Sequence, residues 1–525
     1  MGHAPVAELV GVPAGVPGTG AAPEEPNAPA EPGRQRLPFD ARLVLAGILA
    51  LAAGLRFALL AQNSVWLDEA FMVWVAQHPL KIIPGLLRSV DQHPPVYFML
   101  MHLWIGVAGA GEAAIRVPSA CFSLCSVWLT YVLVRRISTQ NVGLLSAFLV
   151  AVSPFQIAAA QEARMYPLLG ALALASTLAL LSSVDRGGVG RWAGYLAAST
   201  LMAYTHYLGG LVLLAHGIWV GCCERRHLGR WAICIAGVAV LYVPWAPAFF
   251  EQIRNGHSYG WYHNHALYMN LNDLLGLWAF GGSLFGMASY FFTGTVGPVE
   301  QLIVLAPFLV LLWRGATALG AAPRSLALLG LPPLVTLGAA FLISCTRPMF
   351  IPRWFSFVLP FLTAVLARGV YDIAERVEVP RERLIPFLIA ALLLYQVPAL
   401  DRYYTDPEAR PFQWRAAARL VRALGRPGDA LVFVGSPAAI PFKYYFRDPV
   451  PSLELAPEDR VTPTEAQMRQ LTAQHPRVWL IATIPFTAET RDRILGRLGT
   501  AYRAVGLRQF SGAIVYLLAT QQIDR

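Results

Sequence analysis

The sequence predicts a polytopic α-helical membrane protein that ends in a small α/β domain outside the membrane. Three observations carry that expectation. The 525 residues are 56% hydrophobic and only 14% charged, a balance unusual for a water-soluble chain. Apolar runs of about 20 residues recur, the length that crosses a bilayer as a helix. Arginines gather in the short connections between those runs, as cytoplasmic loops require, and the pattern changes beyond residue 401. Fourteen Trp and nineteen Tyr suit the aromatic belts at the membrane interfaces.

The net charge of +10 does not point to nucleic acid, because no run of five basic residues forms a patch. Cys121, Cys125, Cys222, Cys223, Cys234 and Cys345 lie within or beside apolar runs, and none makes a Cys-x-x-Cys pair. A disulfide framework or a thiolate zinc site is not expected, and these residues read as small packing groups.

Taken in order, residues 1–37 are rich in Ala, Pro, Gly and Glu and read as a disordered cytoplasmic terminus. No apolar core begins near Met1, so this is not a signal peptide. Arg34, Arg36 and Arg42 precede the first run, which places the N-terminus inside and Asp68 outside. Arg56 lies in that run, near its outer end; it can snorkel to the interface or face a site. Arg135-Arg136, Asp185 to Arg191, Glu224 to Arg230, Arg314 with Arg324, and Arg368 to Arg383 anchor the cytoplasmic face. Spans that fit are 43–61, 117–134, 142–159, 165–183, 192–205, 207–223, 231–249, 298–313, 325–344, 354–371 and 384–400, about 11 crossings. The membrane domain is thus 38–400.

Val96 to Gly109 breaks the parity. It is apolar but short for a span, at about 14 residues. Counting it as a crossing would put Arg135-Arg136 outside and reverse every later loop. It therefore reads as an interfacial or re-entrant helix within a large first external loop, 62–116, with a true short span as the alternative. On this topology polar groups accumulate outside: Asp68-Glu69, Asp91 with His93, Arg116, Glu162 with Arg164 and Tyr166, and His206 between tyrosines. The loop 250–297 adds Arg254, His257, His263 and His265. Arg164, Arg347 and Arg353 run against the positive-inside bias, and an anionic ligand is one local reason for them.

The tail, 401–525, has an amphipathic helix around Phe412–Leu424 with Trp414, Ala417, Val421 and Leu424 near one face. Ala430–Gly435, Val478–Thr483 and Ala513–Leu518 read as strands, so the tail is an extracytoplasmic α/β domain. It holds no Gly-x-Gly-x-x-Gly, P-loop or Gly-x-Ser-x-Gly.

Several pieces, in order, resemble a known group. They are Trp66-Leu67-Asp68-Glu69, Asp91-x-His93-Pro94-Pro95-x-Tyr97, Arg116-x-Pro118-Ser119, Glu162-Ala163-Arg164-Met165-Tyr166 and Pro348-x-x-x-Pro352-Arg353. Over about residues 43–400 the chain resembles the GT-C fold of polyprenyl-phosphate-sugar glycosyltransferases. It looks most like bacterial relatives of protein O-mannosyltransferases and of the aminoarabinose transferase that modifies lipid A. The resemblance implies an integral plasma (inner) membrane enzyme with its site outside. Such an enzyme moves a sugar (mannose, another hexose or a pentose) from a polyprenyl-phosphate-linked donor to a protein, lipid or polysaccharide acceptor. It implies inversion, no metal and no cofactor. It places Asp68 and Glu69 in the catalytic role, and Asp91, His93, Tyr97, Arg116, Glu162, Arg164, Tyr166, Arg347 and Arg353 at the donor phosphate or substrate.

The residues leave alternatives open. Glycosyl transfer needs a base for the acceptor hydroxyl and donors for the leaving phosphate. By the resemblance Asp68 is the base, with Glu69 orienting it or binding the acceptor. The lesser alternative puts Asp68 in a solvated first helical turn, and with a phosphate acceptor it would bind rather than act as base. Asp91 or His93 could cap the helix after Pro94-Pro95, or His93 could donate to the phosphate. Glu162 and Arg164 could pair with each other, and Tyr166 could be a belt residue. Arg116, Arg347 and Arg353 suit phosphate because guanidinium matches its geometry. His257, His263 and His265 invite a metal reading, but Tyr259, Trp261, Tyr262 and Tyr268 in the same loop favour sugar stacking or an interface. Two other classes remain: a secondary transporter, for which no internal repeat is visible, and a structural membrane protein with an external binding domain.

Overall fold

The computed structural model describes residues 1–2, 40–255, 298–345, 352–406, 412–434, 436–455, 464–483, 488–499 and 501–520. Almost all of the N-terminal stretch, the histidines His257, His263 and His265, and Arg347 lie outside the described residues.

The membrane domain is built of α1 (Ala41–Phe57), α2 (Leu67–Ala76), α3 (Ile83–Val90), α4 (Val96–Ala108), α5 (Glu112–Ile137), α6 (Gln140–Val152), α7 (Pro154–Ala160), α8 (Tyr166–Arg186), α9 (Val189–Ala203), α10 (Gly209–Cys223), α11 (Leu228–Tyr242), α12 (Ala246–Asn255), α13 (Pro298–Leu319), α14 (Pro323–Ser344), α15 (Leu359–Arg376) and α16 (Arg381–Thr405). A 3-10 turn, Pro352–Val358, leads into α15. Each apolar run expected to cross is helical over most of its described length. By length and composition, four helical segments can span a bilayer: Glu112–Ile137, Tyr166–Arg186, Pro323–Ser344 and Arg353–Arg376. Three bent pairs raise the number to as many as seven. Several others are short; α1, α9 and α10 hold 17, 15 and 15 residues. Leu103, Ile233, Val240, Leu334, Leu342 and Phe387 are exposed on the outside of the bundle, the surface a bilayer would solvate.

The two ends of the bundle differ. At one end Arg136 pairs with Asp185 at 2.7 Å, Arg324 pairs with Glu224 at 2.7 Å and also with Asp185, and Ser325 donates to Ile137 O. Arg314 and Arg376 share Asp372. Helix α5, 26 residues long, runs from this end to Glu112 at the other. Helix α4 both starts and finishes at that other end. Val96 N–H donates to Tyr204 O at 3.2 Å, while Ala110 O, just past its last turn, accepts from Tyr444 of the tail at 2.6 Å.

Helices α6 and α7 are bent by 60° at Ser153-Pro154. Proline has no N–H for the carbonyl four residues back, so Val150 O loses its helical partner. Arg56 supplies the missing donors, with Nη2 on Val150 O at 3.0 Å and Nη1 on Ala151 O at 2.8 Å. Its Nε reaches Ser123 Oγ at 2.8 Å. This corrects the expectation that Arg56 snorkels. It is fully buried and serves the helix break.

The tail begins with α17 (Trp414–Leu424), followed by β1 (Ala430–Val434), α18 (Ser436–Tyr445), β2 (Ser452–Leu455), α19 (Glu465–Gln474), β3 (Arg477–Thr483), α20 (Ala488–Leu498), β4 (Tyr502–Phe510) and β5 (Ala513–Thr520). The five-stranded sheet has the order β2-β1-β3-β5-β4. Strands β2, β1 and β3 are parallel, with Val432 opposite Leu453 and Leu480. Strand β5 is antiparallel to β3 and to β4, with Leu480 opposite Tyr516. Both faces are covered. Trp414, Val421, Phe433, Phe442, Trp479 and Ile481 form one core, and Val432, Leu471, Leu480, Ile494 and Leu518 form the other. Leu424, expected on the buried face of α17, is exposed, and Ala418 takes its place.

Candidate active site

The connection from α1 to α2 holds no regular structure from Gln62 to Trp66, and its polar backbone needs partners. Arg116, entering from the first turns of α5, provides them. Its Nη1 donates to Leu60 O at 2.6 Å and Asn63 O at 2.9 Å, and Nη2 to Ser64 O at 3.3 Å. The remaining donors grip Glu69: Nε to Oε1 at 2.7 Å and Nη2 to Oε2 at 2.6 Å. Glu69 Oε1 also accepts from Ala163 N–H at 2.9 Å. All five guanidinium N–H groups are thus used, and both side chains are buried.

Arg116 thus has every donor engaged by the protein, and Glu69 holds the start of α2. Losing one partner of such a buried pair costs about 3–5 kcal/mol. Tyr97 is also engaged within the protein. Its hydroxyl shares a hydrogen bond with Ser119 Oγ at 2.9 Å, and Ser119 donates to Arg164 O at 3.0 Å. Fully buried, Tyr97 locks α4 to α5.

Asp68, one residue earlier on the helical wheel, turns the other way. Its Oδ2 lies 3.1 Å from Arg353 Nη2 and 3.7 Å from Arg164 Nη2. Both arginines are buried, whereas the Asp68 side chain keeps 23% exposure. Arg353 also lies over the Trp66 ring at 4.8 Å, and Arg164 over the Tyr166 ring at 5.8 Å. Among the described residues Glu162 and Arg164 form no side-chain ion pair; Arg164 N–H donates to Glu162 O instead.

His93 Nδ1 meets Asp91 Oδ1 at 3.0 Å, and no side chain caps α4. Burial opposes ionisation of Asp91, yet the neighbouring His93, Arg164 and Gln92 N–H hold its carboxyl below the usual range. The His93 ring packs 5.4 Å from His206 and 6.4 Å from Trp354. His206 lies 6.0 Å from Tyr166. The site set read from the sequence lacked His206. Its signal was a lone histidine between Tyr204 and Tyr207 in a short break between two apolar runs.

Buried polar atoms here without a protein hydrogen-bond partner include Arg164 Nε, His206 Nε2, Glu162 Oε2, Tyr166 Oη and Asp91 Oδ2. His206 Nδ1 accepts from Leu208 N–H at 3.2 Å, so Nε2 carries the hydrogen. Burial, then His93 and Arg164, push this imidazole well below its ordinary pKa and keep it neutral. Burial raises the Glu162 carboxyl to about 8; Arg353 and Arg164 oppose the rise, and Glu69 and Asp68 add to it. A protonated Glu162 offers an O–H. Arg164 Nε and His206 Nε2 are donors, the Tyr166 hydroxyl can donate or accept, and Asp91 Oδ2 accepts; the donors suit an anion and Asp91 suits a hydroxyl beside it.

A cleft of about 910 Å³ opens on Asp68 and Asp91, with Phe71 and Trp74 of α2 on one wall and Ile440 and Lys443 of α18 on the other. All six cysteines are free thiols. Among the described residues no three His, Cys, Asp or Glu side chains converge as a metal site.

ArnT from Cupriavidus metallidurans has the same arrangement over nearly its whole length. Its apo crystal structure superposes with a TM-score of 0.58 at 13% identity, covering 91% of this chain and 97% of that one. The chain has the GT-C fold. ArnT bound to undecaprenyl phosphate gives 0.54 at 14% identity, with the same coverage. AglB, the oligosaccharyltransferase of Archaeoglobus fulgidus, in complex with an inhibitory peptide and a dolichol-phosphate, gives 0.51 at 13%, covering 92% and 74%. The family model for dolichyl-phosphate-mannose-protein mannosyltransferase matches residues 92–250 of this GT-C chain, a stretch that includes His93, Arg116, Glu162, Arg164 and His206. No curated protein matches the chain.

Proposed function

We propose that this GT-C protein is a membrane glycosyltransferase. It takes a sugar from a polyprenyl-phosphate donor and passes it to an acceptor hydroxyl on the extracytoplasmic side. One observation carries the reading: Asp68, a partly open carboxylate on a cleft, bridges the buried Arg353 and Arg164, and the buried donors Arg164 Nε and His206 Nε2 of the same site have no protein acceptor. A phosphate answers both donors. The solved relatives that bind undecaprenyl phosphate or a dolichol-phosphate, and the family model for a dolichyl-phosphate-mannose enzyme, support the choice of donor. The arginine-rich opposite end supports a cytoplasmic placement of that end in the plasma (inner) membrane.

The chemistry follows from charge. Asp68 bridges Arg353 and Arg164, leaving a net positive charge on the trio. A donor phosphate draws the guanidiniums to itself, and the Asp68 carboxylate is then released to take the proton of the acceptor hydroxyl. The acceptor oxygen forms a bond to the anomeric carbon as the bond from that carbon to the phosphate oxygen breaks. The departing electron pair stays on the polyprenyl phosphate, whose growing charge Arg164 and Arg353 stabilise. Attack opposite the leaving group inverts the anomeric centre.

Transfer from polyprenyl-phosphate sugars, measured with purified protein, tests this. Asp68→Asn is expected to lower the rate by about 10²–10⁴-fold while polyprenyl phosphate still binds. Undiminished transfer by that variant overturns the base assignment. Solute flux in vesicles without transfer from any hexose or pentose donor overturns the enzyme reading.

A further inference from the structure

Leu59 has φ 56°, the one non-glycine residue with positive φ among those described. A leucine there is strained by about 1–2 kcal/mol, so its surroundings must hold it. Arg116 holds the inner side of this connection, as described. The outer side is held by the tail. Arg415 Nη2 donates to Ala61 O at 2.6 Å and Asn63 O at 3.5 Å, and its backbone N–H donates to Ser64 Oγ at 3.3 Å. Val65 N–H donates to Tyr445 Oη at 2.5 Å. Phe412 stacks on Trp66 at 5.7 Å with the rings 6° from parallel. Gln62 reaches Tyr404 O at 2.6 Å.

Glu112 closes the circuit. It takes Arg415 Nε at 2.9 Å and the Tyr445 hydroxyl, and it stands one helical turn before Arg116 on α5. Two guanidiniums, one from the bundle and one from the tail, therefore grip the same run of backbone from opposite sides, and Asn63 O is common to both. The second residue of the helix that follows is Asp68. The tail also packs Tyr444 on Ala110 O and lays α18 beside α2, but Ala61, Gln62, Asn63, Ser64, Val65 and Trp66 are each held in turn.

We propose that the C-terminal domain is a positioning clamp: Arg415 and Tyr445 hold the strained connection 59–66 and so aim the Asp68 carboxylate at the acceptor. The inference rests on the reading of Asp68 as base. Arg415 and Tyr445 touch no reacting atom; they act through Asp68. A misplacement near 1 Å at a reacting group costs about 10²-fold in rate.

Steady-state transfer by full-length Arg415→Gln and Tyr445→Phe tests the clamp. In each, kcat falls about 10-fold or more, while the donor KM and polyprenyl-phosphate affinity stay within about 2-fold of wild type. Arg508→Gln, on the exposed edge strand β4 of the tail, keeps wild-type kcat. In an Asp68→Asn background, Arg415→Gln adds less than about 2-fold, because there is no base left to aim. Unchanged kcat in Arg415→Gln beside a crippled Asp68→Asn sinks the clamp alone. So does an equal loss in both backgrounds, or a loss that appears as weakened donor binding. An active Asp68→Asn overturns the base reading and the clamp's route with it.

Discussion

Four arginines at this end of the molecule carry the same group and do different work, because their surroundings saturate them differently. Arg116 has spent every donor on Glu69 and three carbonyls, and Arg415 spends its own on Glu112 and the same connection. Arg164 and Arg353 share one carboxylate oxygen. Residue type and order pointed to the cluster, but saturation was not legible. The carbonyls that occupy Arg116 belong to Leu60, Asn63 and Ser64, 52 to 56 positions away, and carbonyls carry no sequence signal. Glu162 allows a pH test. Its carboxyl is raised from 4.5 to about 8, so between those values the folded chain binds the extra proton and the unfolded chain does not. Stability from this group is then present at low pH and is lost as pH rises toward 8. The thermal midpoint of wild type should fall across that interval more steeply than that of Glu162→Gln. Equal slopes would show that Glu162 is ionised in the folded protein.

At the scale of elements, the tightest crossing is between α13 and α15. A Cβ added to Gly315 would stand 1.8 Å from Val365 O, and one on Gly369 would stand 1.9 Å from Leu311 O. Small residues let the two backbones touch, which is how helices associate where no hydrophobic effect drives them. Gly369→Ala should destabilise by about 1–3 kcal/mol, seen as a lower thermal midpoint, whereas Gly338→Ala, with open space around it, should not. Helices were legible from long apolar runs, and β1, β3 and β5 from short buried ones. Strands β2 and β4 were not. Ser452–Leu455 is four residues long, and Tyr502–Phe510 is an exposed edge interrupted by Arg503, Gly506 and Arg508 with a bulge at Ala504/Gly506. Charges and bulges blunt an edge against pairing with other chains, and they also erase the alternation that marks a strand.

Across the whole molecule, two sets of ion pairs mark two ends. Arg136, Arg314 and Arg324 with Asp185, Asp372 and Glu224 mark one, and Asp68 with Arg164 and Arg353 marks the other. In a variant stripped of its native cysteines, Arg447→Cys should react with an impermeant maleimide on intact cells, and Gln140→Cys only after permeabilisation. The reverse pattern would invert the orientation. The expectation rests on loop arginines alone, which follow a rule of translocation rather than of packing. The break at Ser153-Pro154 was not legible in the sequence, because Pro in an apolar run can kink a helix or leave it nearly straight. Its consequence is one of height. Continued straight, the seven residues of α7 would add about 10 Å of rise and lift Glu162 and Arg164 with it. Turned by 60° and served by Arg56, that length folds back into the protein, and every residue from Pro154 to Tyr166 is buried. A substrate tethered to a lipid has its headgroup at a level set by the bilayer. On the proposed function, one proline and one arginine would set the level at which such a headgroup is received.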